Sequence, residues 1–494
     1  MTATALTMLN CHLTIPALYF RGINDMYVRH SRIQHGVGQG SFHSATVEFS
    51  ATGRHRFDYV FDCGALKYAK LSPEFQYALK RVSLTKRAPG GNKAVLDLMV
   101  LSHFDADHMN GAQSLVKRYA VDRIVLPYLG VEELALIIAS QADAIDKDTL
   151  KELHGLANGV GKLWKRPVTM VKTGPRKTEE RVFSDDPQRE PPDAERSEPP
   201  RTQEFPHPVS VVLESTGAAP GTVMLDENNL VVGSSSAGRH DTWKLRFWNR
   251  GLHATLGELI LRSLKHIGFP VEALSDKAEG AQAIITWLDT KPVTVRAKRG
   301  QGRTQTSKPK GNRDLAIEAY REAITEFAPA WMNEASGDCL ANFLSLGLYS
   351  GPGFRLSRII RKEHHDSYQQ YCRHCYSRSE REVVLPGWIG TGDAPLGEPG
   401  IWQDFERHYK RELPQTQTVV VPHHGAAPNA GARFYNPGLN HRPRVNAVIS
   451  YAVRNSHGHP HPSVLAEIAY AGGRLLHVTD DTRLGYQEIY VFTR

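Results

Sequence analysis

Val95-Leu96-Asp97-Leu98-Met99-Val100-Leu101 runs directly into Ser102-His103-Phe104-Asp105-Ala106-Asp107-His108. The first seven residues are nearly all apolar and read as a buried strand. The six from His103 onward carry four side chains able to ligate a metal: His103, Asp105, Asp107 and His108. On a tight turn at a strand end, all four can face one point. Charges of that density need a partner when they leave water, and a divalent cation is the natural one. The plain alternative is a polar loop with chance charges. The place at a strand end, followed by Asn110-Gly111, speaks against it.

Two further pieces lie at strand ends far downstream. Gly392-Asp393 follows Trp388-Ile389-Gly390, and Pro422-His423-His424-Gly425 follows Thr418-Val419-Val420-Val421. Alone, a Gly-Asp is usually a turn and a His pair is often surface. Together with the first motif, they make three loops rich in His and Asp at the carboxyl ends of strands. Such loops can converge on one edge of a sheet.

Outward from these motifs, the chain alternates strand and helix. Residues 45–48 and 57–61 alternate apolar and polar around the turn Thr52-Gly53-Arg54, which predicts a hairpin running into Asp62-Cys63-Gly64. Helices are expected near 73–82, 112–119, 255–266, 277–288, 314–327 and 463–471. Strands are expected at 123–126, 209–213, 243–247, 341–348, 383–385, 416–421 and 445–450. No short fixed-period repeat occurs. The class is therefore α/β or α+β.

A length of 494 residues suggests two or three domains, and 40% hydrophobic residues suffice for a real core. The net charge of +8 favours a polyanionic partner, although a slightly basic soluble surface explains it equally well. Five cysteines at low density exclude a disulfide scaffold. Neither a signal peptide nor a membrane-length apolar run is seen, so a cytoplasmic protein without membrane partners is expected. Residues 174–208 are crowded with Pro, Glu, Arg, Asp and Ser, as in an exposed linker. Residues 291–313 hold eight Lys/Arg and no acid. Lys298, Arg299, Arg303, Lys308 and Lys310 are the nucleic-acid-binding candidates there, against the reading of a solvated loop. His364, His365, Cys372, His374 and Cys375 form another cluster. It suits structural zinc, but with a single Cys-x-x-Cys pair a redox or chance reading is as good.

The ordered set His103-x-Asp105-x-Asp107-His108, then Gly392-Asp393, then a strand-end His resembles the metallo-β-lactamase superfamily. Val37-Gly38-Gln39-Gly40, Phe61-Asp62-Cys63-Gly64, Asn342-Phe343-Leu344-Ser345, His423-His424-Gly425 and Asn455-Ser456-His457-Gly458-His459-Pro460 extend the likeness. With them the chain resembles the soluble hydrolase domain of ComEC-type DNA-uptake proteins, over roughly 33–130 and 340–490. There are departures: Ser41 stands where that family usually has Asp, and Asn110-Gly111 where it has Gly-Gly. With no channel segments, DNA transport is not expected of this chain.

The helical patterns and basic loop at about 250–335 read as an insertion or a small helical subdomain, and the resemblance, which does not cover them, implies a four-layer αββα sandwich. Its first half would span 30–250, the insertion 251–335 and the second half 336–494. It implies two divalent ions, Zn or Mn, with Mg allowed. His103 and Asp105 would hold one, Asp107 and His108 the other, with Asp393 between them and His423 as the remaining ligand. Asp62 and His424 would support the ligands from behind. The carboxylate of Asp105, in place of a softer imidazole, shifts preference toward Mn or Mg. The His that many relatives supply in the middle of the chain is not placed; His207, His240 and His253 are candidates. His459 is expected to hold a phosphate or protonate a leaving oxygen, ahead of His457 and His461. Asp107 is the other residue expected at the chemistry.

The expected activity is metal-dependent phosphodiester hydrolysis, a nuclease acting on DNA or RNA through a hydroxide held between two ions. Its rival is a small-molecule hydrolase acting on a cyclic nucleotide, a lactone or a thioester, since a fold does not fix a substrate. A third reading is a partner-binding scaffold, or partner-protein contact through the insertion; the intact ligand set argues against a scaffold alone.

Overall fold

A computed structural model describes residues 27–49, 55–65, 73–82, 84, 92–172, 202–203, 209–215, 222–234, 242–290, 311–327, 344–352, 358–365, 386–427, 429, 435, 445–480 and 485–493. In chain order the first half holds β1 (Tyr27–Gln34), β2 (Phe42–Phe49), β3 (His55–Cys63), α1 (Pro73–Arg81), β4 (Val95–Val100), α2 (Ala106–Met109), α3 (Ala112–Arg118), β5 (Ala120–Pro127), α4 (Val131–Ser140), α5 (Lys147–Ala157), β6 (Lys162–Leu163) and β7 (Arg166–Lys172). Then come β8 (Thr202–Gln203), β9 (Val209–Ser215), β10 (Thr222–Ser234), β11 (Thr242–Trp248), α6 (Ala254–His266), α7 (Gly280–Leu288) and α8 (Asn312–Phe327). The last part holds β12 (Gly347–Pro352), β13 (Arg358–His365), β14 (Gly387–Gly390), α9 (Pro399–His408), β15 (Thr416–Val420), β16 (Asn446–Tyr451), α10 (Pro462–Tyr470), β17 (Arg474–Thr479) and β18 (Tyr486–Thr493).

The strands form two mixed sheets. In one, β13, β18, β1, β2 and β3 pair antiparallel, and β3, β4, β5 and β7 run parallel. In the other, β11, β12 and β14 are antiparallel, and β14, β15, β16 and β17 are parallel. The long β10 joins them: 222–226 pair with β7 and 229–233 with β11. Parallel neighbours need crossovers, and the crossing helices cover the outer faces.

Three apolar clusters show the layers. Val47, Phe61, Val100, Trp243, Phe247, Leu348, Trp388 and Tyr490 come from strands of both sheets and fill the space between them. α1, α3, α4 and α5 cover the outer face of the first sheet through Phe75, Leu115, Leu134 and Leu153. Ile260, Ile285 and Ala323 of α6, α7 and α8 join that same cluster. α9 and α10 cover the second sheet with Ile401, Phe405, Val464 and Ile468. The architecture is therefore the expected four-layer αββα sandwich.

Some elements differ from expectation. The strand expected at 341–348 begins at Gly347; before it, Leu346 N–H donates to Ser102 O (2.6 Å), which ties that stretch to the ligand loop. The expected linker at 174–208, apart from Thr202–Gln203, the strand at 383–385, most of the basic loop and the Cys372/His374/Cys375 cluster lie outside the described residues, as do Lys298, Arg299, Arg303, Lys308 and Lys310. Among the described residues no helix is long and apolar enough to cross a membrane.

Candidate metal centre

The parallel strands set the site. β3, β4, β14, β15 and β16 all end at one edge, where the chain leaves as loops. In open α/β sheets, side chains that must converge are supplied from such carboxyl ends. Asp62 stands at the end of β3, the 103–108 loop after β4, Asp393 after β14, His423 and His424 after β15, and His459 after β16.

The 103–108 loop is held by backbone. Ser41 N–H donates to Asp107 O (3.0 Å), Gly64 N–H to Ser41 O (2.9 Å) and Gly111 N–H to Cys63 O (2.9 Å). A Cβ on Gly64 would meet the Asp107 carbonyl at 2.5 Å, so that crossing admits only glycine. Gly392 has φ +53, and a Cβ there would meet Ser102 Cβ at 2.7 Å. It lets the Asp393 loop close on the first one. The Asp393 N–H then donates to Ser345 Oγ (3.1 Å), and Asn429 Nδ2 donates to the Asp393 carbonyl (2.7 Å).

Three groupings occur, within each of which the ligating atoms lie within 4.8 Å of one another: His103, Asp107 and His108; His108, Asp393 and His424; His103, Asp105 and Asp393. Behind them, acceptors fix the imidazoles. Asp62 is buried, with φ 57, and takes Ser102 N–H (2.6 Å), Ser102 Oγ (2.9 Å) and His108 Nδ1 (2.8 Å). Ser102 Oγ, having given its proton to Asp62, accepts from His103 Nδ1 (2.9 Å). His424 Nδ1 donates to the Ser450 carbonyl (2.7 Å). Each Nδ1 is therefore used, and each Nε2 is turned inward.

What those nitrogens face is carboxylate. His108 Nε2 is 3.1 Å from Asp393 Oδ1, His103 Nε2 is 3.5 Å from Asp393 Oδ2, and His424 Nε2 is 3.0 Å from Asp107 Oδ2. The His108 approach is not aligned as a hydrogen bond. His103 Nε2, His108 Nε2 and Asp393 Oδ1 are buried with no hydrogen-bond partner. Buried polar atoms are seldom left so, and three in one cluster fit a cation that the residues are arranged to share.

The electrostatics agree. Burial lowers the His108 pKa, but Asp393, Asp62 and Asp107 outweigh it and hold the imidazole well above its usual range. His103 is raised too, by Asp393 and Asp105 against burial and His108. Burial raises the carboxyls of Asp107 and Asp393, yet His108 leads the neighbouring imidazoles in pulling both below the ordinary range. Asp105 is raised, by burial above all, and its side chain keeps about a third of its exposure (32%). The carboxylates thus favour positive charge at the imidazole nitrogens, a place that a divalent cation could take over.

Of the other candidates, His423 puts Nε2 3.7 Å from Asp393 Oδ2 and Nδ1 3.2 Å from Asn429 Oδ1, with 20% of its side chain exposed. The sequence reading gave His423 the ligand's place and His424 the support; here His424, not His423, stands in the groupings of donors. Both have left-handed backbone, φ 46 and 53. His459 lies beside His423, ring centroids 5.4 Å apart, and burial pushes its pKa down to about 4, aided by His423, His424 and His457. His457 stacks on His459 at 6.0 Å, while His461 caps α10 by accepting from Ser463 N–H. His253 sits at the start of α6 against Phe327 (5.1 Å) and joins no donor grouping; His207 and His240 lie outside the described residues. Cys63 is buried, and burial raises its thiol well above the usual range, which suits packing rather than nucleophilic attack.

Sequence reasoning quoted Ser102 and Ser345 within motifs but gave them no role, and missed Asn429, Ser450 and Gln141, whose amide donates to Asp105 Oδ1. Small polar residues that orient ligands carry no spacing signal of their own.

No protein-family model matches the chain, and no curated protein matches it. Among solved structures, it is similar to an archaeal metallo-β-lactamase superfamily protein from Sulfolobus tokodaii, at 18% identity and a TM-score of 0.12, covering 26% of this chain and 38% of that one. It is also similar to a subclass B3 metallo-β-lactamase isolated from a soil metagenome library, at 11% identity and a TM-score of 0.18, covering 43% and 61%. The chain thus spans less than two thirds of either structure.

Proposed function

We propose that this chain is a metal-dependent hydrolase of the metallo-β-lactamase type, and that its substrate is a phosphodiester in nucleic acid. The observation that carries the hydrolase reading is the set of inward Nε2 atoms facing Asp107 and Asp393, with His103 Nε2, His108 Nε2 and Asp393 Oδ1 unpartnered. His103, Asp105 and Asp393 would hold one ion; Asp107, His108, His424 and Asp393 would hold the other, with His423 beside Asp393. Divalent ions there supply Lewis acidity toward water and toward a phosphoryl oxygen. The residues do the rest. Asp62 and Ser102 keep the imidazoles in the ligating tautomer, and Ser345 and Asn429 hold the Asp393 loop. His459, beside the cluster and partly open, would bond a phosphate or a leaving oxygen.

The nucleic-acid reading draws on the resemblance, the +8 charge and the Lys/Arg of residues 291–313. The test compares single- and double-stranded DNA, RNA, a cyclic dinucleotide and a lactone, each with Mn, Mg and Zn. Polynucleotide cleavage is expected, abolished by Asp107→Ala with DNA binding kept, since surface Lys and Arg carry that binding. His459→Ala should lower turnover more than metal content. Deleting 291–310 should weaken DNA binding and flatten its salt dependence, because fewer counterions are released. Hydrolysis of the cyclic dinucleotide or lactone with no polynucleotide cut under the same ions would replace the nuclease by the small-molecule reading.

A further inference from the structure

Asp105 opens α2 as its N-cap residue, with extended backbone (φ −70, ψ 147). An Asp in that place ordinarily accepts from the backbone N–H groups of the first turn. Asp105 does not: its side chain makes no capping bond, and only its carbonyl serves the helix, accepting from His108 N and Met109 N. The carboxylate is turned away, so that Oδ2 faces His103 Nε2 at 3.7 Å and Oδ1 takes the side-chain amide of Gln141. A carboxylate that forgoes its local bonds in favour of one 36 positions away is being held for another purpose.

Gln141 is well placed to hold it. It follows the last residue of α4, an almost wholly buried helix that carries Leu134, Leu136 and Ile138 into the core. Its own N–H donates to Ile137 O, and its carbonyl accepts from Ala144 N and Ile145 N (both 2.9 Å). The backbone is thus fixed on both sides, and the side chain is left to reach across. Leu136, Ile137, Ser140 and Gln141 of this helix end line one cleft with His103 and Asp105. Among the described residues, the grouping around Asp105 holds His103 and Asp393 as its other His, Cys, Asp or Glu members. Asp105 keeps about a third of its exposure, whereas His103 and Asp393 are buried. It is the member whose orientation most needs an external hold.

We infer that Gln141 is the positioning residue of the first ion, its amide N–H fixing the Asp105 carboxylate so that one oxygen stays turned to the donors. This rests on the metal-centre reading above. The side chain does not ligate; it sets the affinity of the ion that Asp105 shares with His103 and Asp393. Partners of this kind typically change metal affinity about 10–100-fold when removed.

The test uses the full-length chain stripped of metal and titrated with Mn(II) against a competing chelator. Gln141→Met keeps the length and packing of the side chain and removes the donor. The expected result is a loss of about 10–100-fold in affinity for one ion, the other unchanged, with the same thermal midpoint in the metal-free state. In an Asp105→Ala background, Gln141→Met should have no further effect, because the group it acts through is gone. A Gln141→Met chain that binds both ions as the unaltered chain does would overturn the role of Gln141 and leave the metal centre standing. So would an equal further loss in the Asp105→Ala background. An unaltered chain that takes up no Mn(II) or Zn(II) would remove the metal centre, and this inference with it.

Discussion

Two sets of deeply buried histidines occupy this sandwich, and they behave in opposite ways. Between the sheets, His30 lies tilted against Trp243 with ring centroids 4.3 Å apart, and His43 stacks on Trp388 at 4.1 Å. None of their ring nitrogens has a hydrogen-bond partner. Burial first, and then the positive charge of Arg32, drives both far below the usual imidazole range, against a weaker upward pull from Glu488. These surroundings favour the neutral ring in both. At the strand ends, His103 and His108 are as deeply buried, at 2% exposure, yet both are raised. The difference lies in what stands on each side: an acceptor behind Nδ1 and a carboxylate in front of Nε2. Burial alone does not make a histidine a ligand.

The strongest way to break this contrast is Asp393→Ala. It removes the carboxylate that His103, His108 and His423 all face. Both proposed ions should be lost, and the proposed turnover should fall by on the order of 10³-fold or more. Two ions retained per chain, by elemental analysis after dialysis, would show that the carboxylate is not what separates the two sets.

A smaller effect sharpens the picture within the second set. His424→Ala should weaken the ion near Asp107 by more than about 100-fold, beyond what a supporting residue contributes, while His423→Ala should stay within about 10-fold. Equilibrium titration of both variants decides it. The reverse ranking would return the ligand's place to His423.

The smallest effect tests the neutral set. A histidine whose folded pKa is depressed leaves the folded chain short of a proton that the unfolded chain takes up below the usual value of 6.5. Stability is therefore full above pH 6.5 and declines as pH falls below it, by at most about 1.4 kcal/mol per pH unit for each such histidine. His30→Phe and His43→Phe should flatten the decline between pH 6.5 and 5, read as urea midpoints. Equal slopes in variant and unaltered chain would mean that the inter-sheet histidines carry protons in the fold.

The contrast also explains what could be read from the sequence. A metal centre concentrates ligand types in short runs after apolar strands, so His103 to His108, Asp393 and the His423-His424 pair stood out. Which of the two adjacent imidazoles falls among the grouped donors did not, because strand-end spacing does not show how two successive left-handed residues aim their rings. The hairpin of β2 and β3 was visible because apolar residues alternate there. β1 was not: its inward residues after Val28 are His30, Arg32 and Gln34, which read as solvent-facing. Arg32 is tolerated inside because Glu488 and the Pro386 carbonyl receive its guanidinium. α4 lacks the polar stripe that announces a surface helix, since other helices cover its outer side. Gln141 gave no signal at all; an amide after a helix end is ordinary until the carboxylate opposite it is known.

Asp107 and His424 meet across 317 positions of chain, one from the loop after β4 and the other from the loop after β15. The donors of the candidate metal centre therefore come from both sheets, and ion binding there would be coupled to the docking of one sheet on the other. A molecule that sat across the edge and raised ion affinity by some factor would itself be bound more tightly by the same factor when the ion is present.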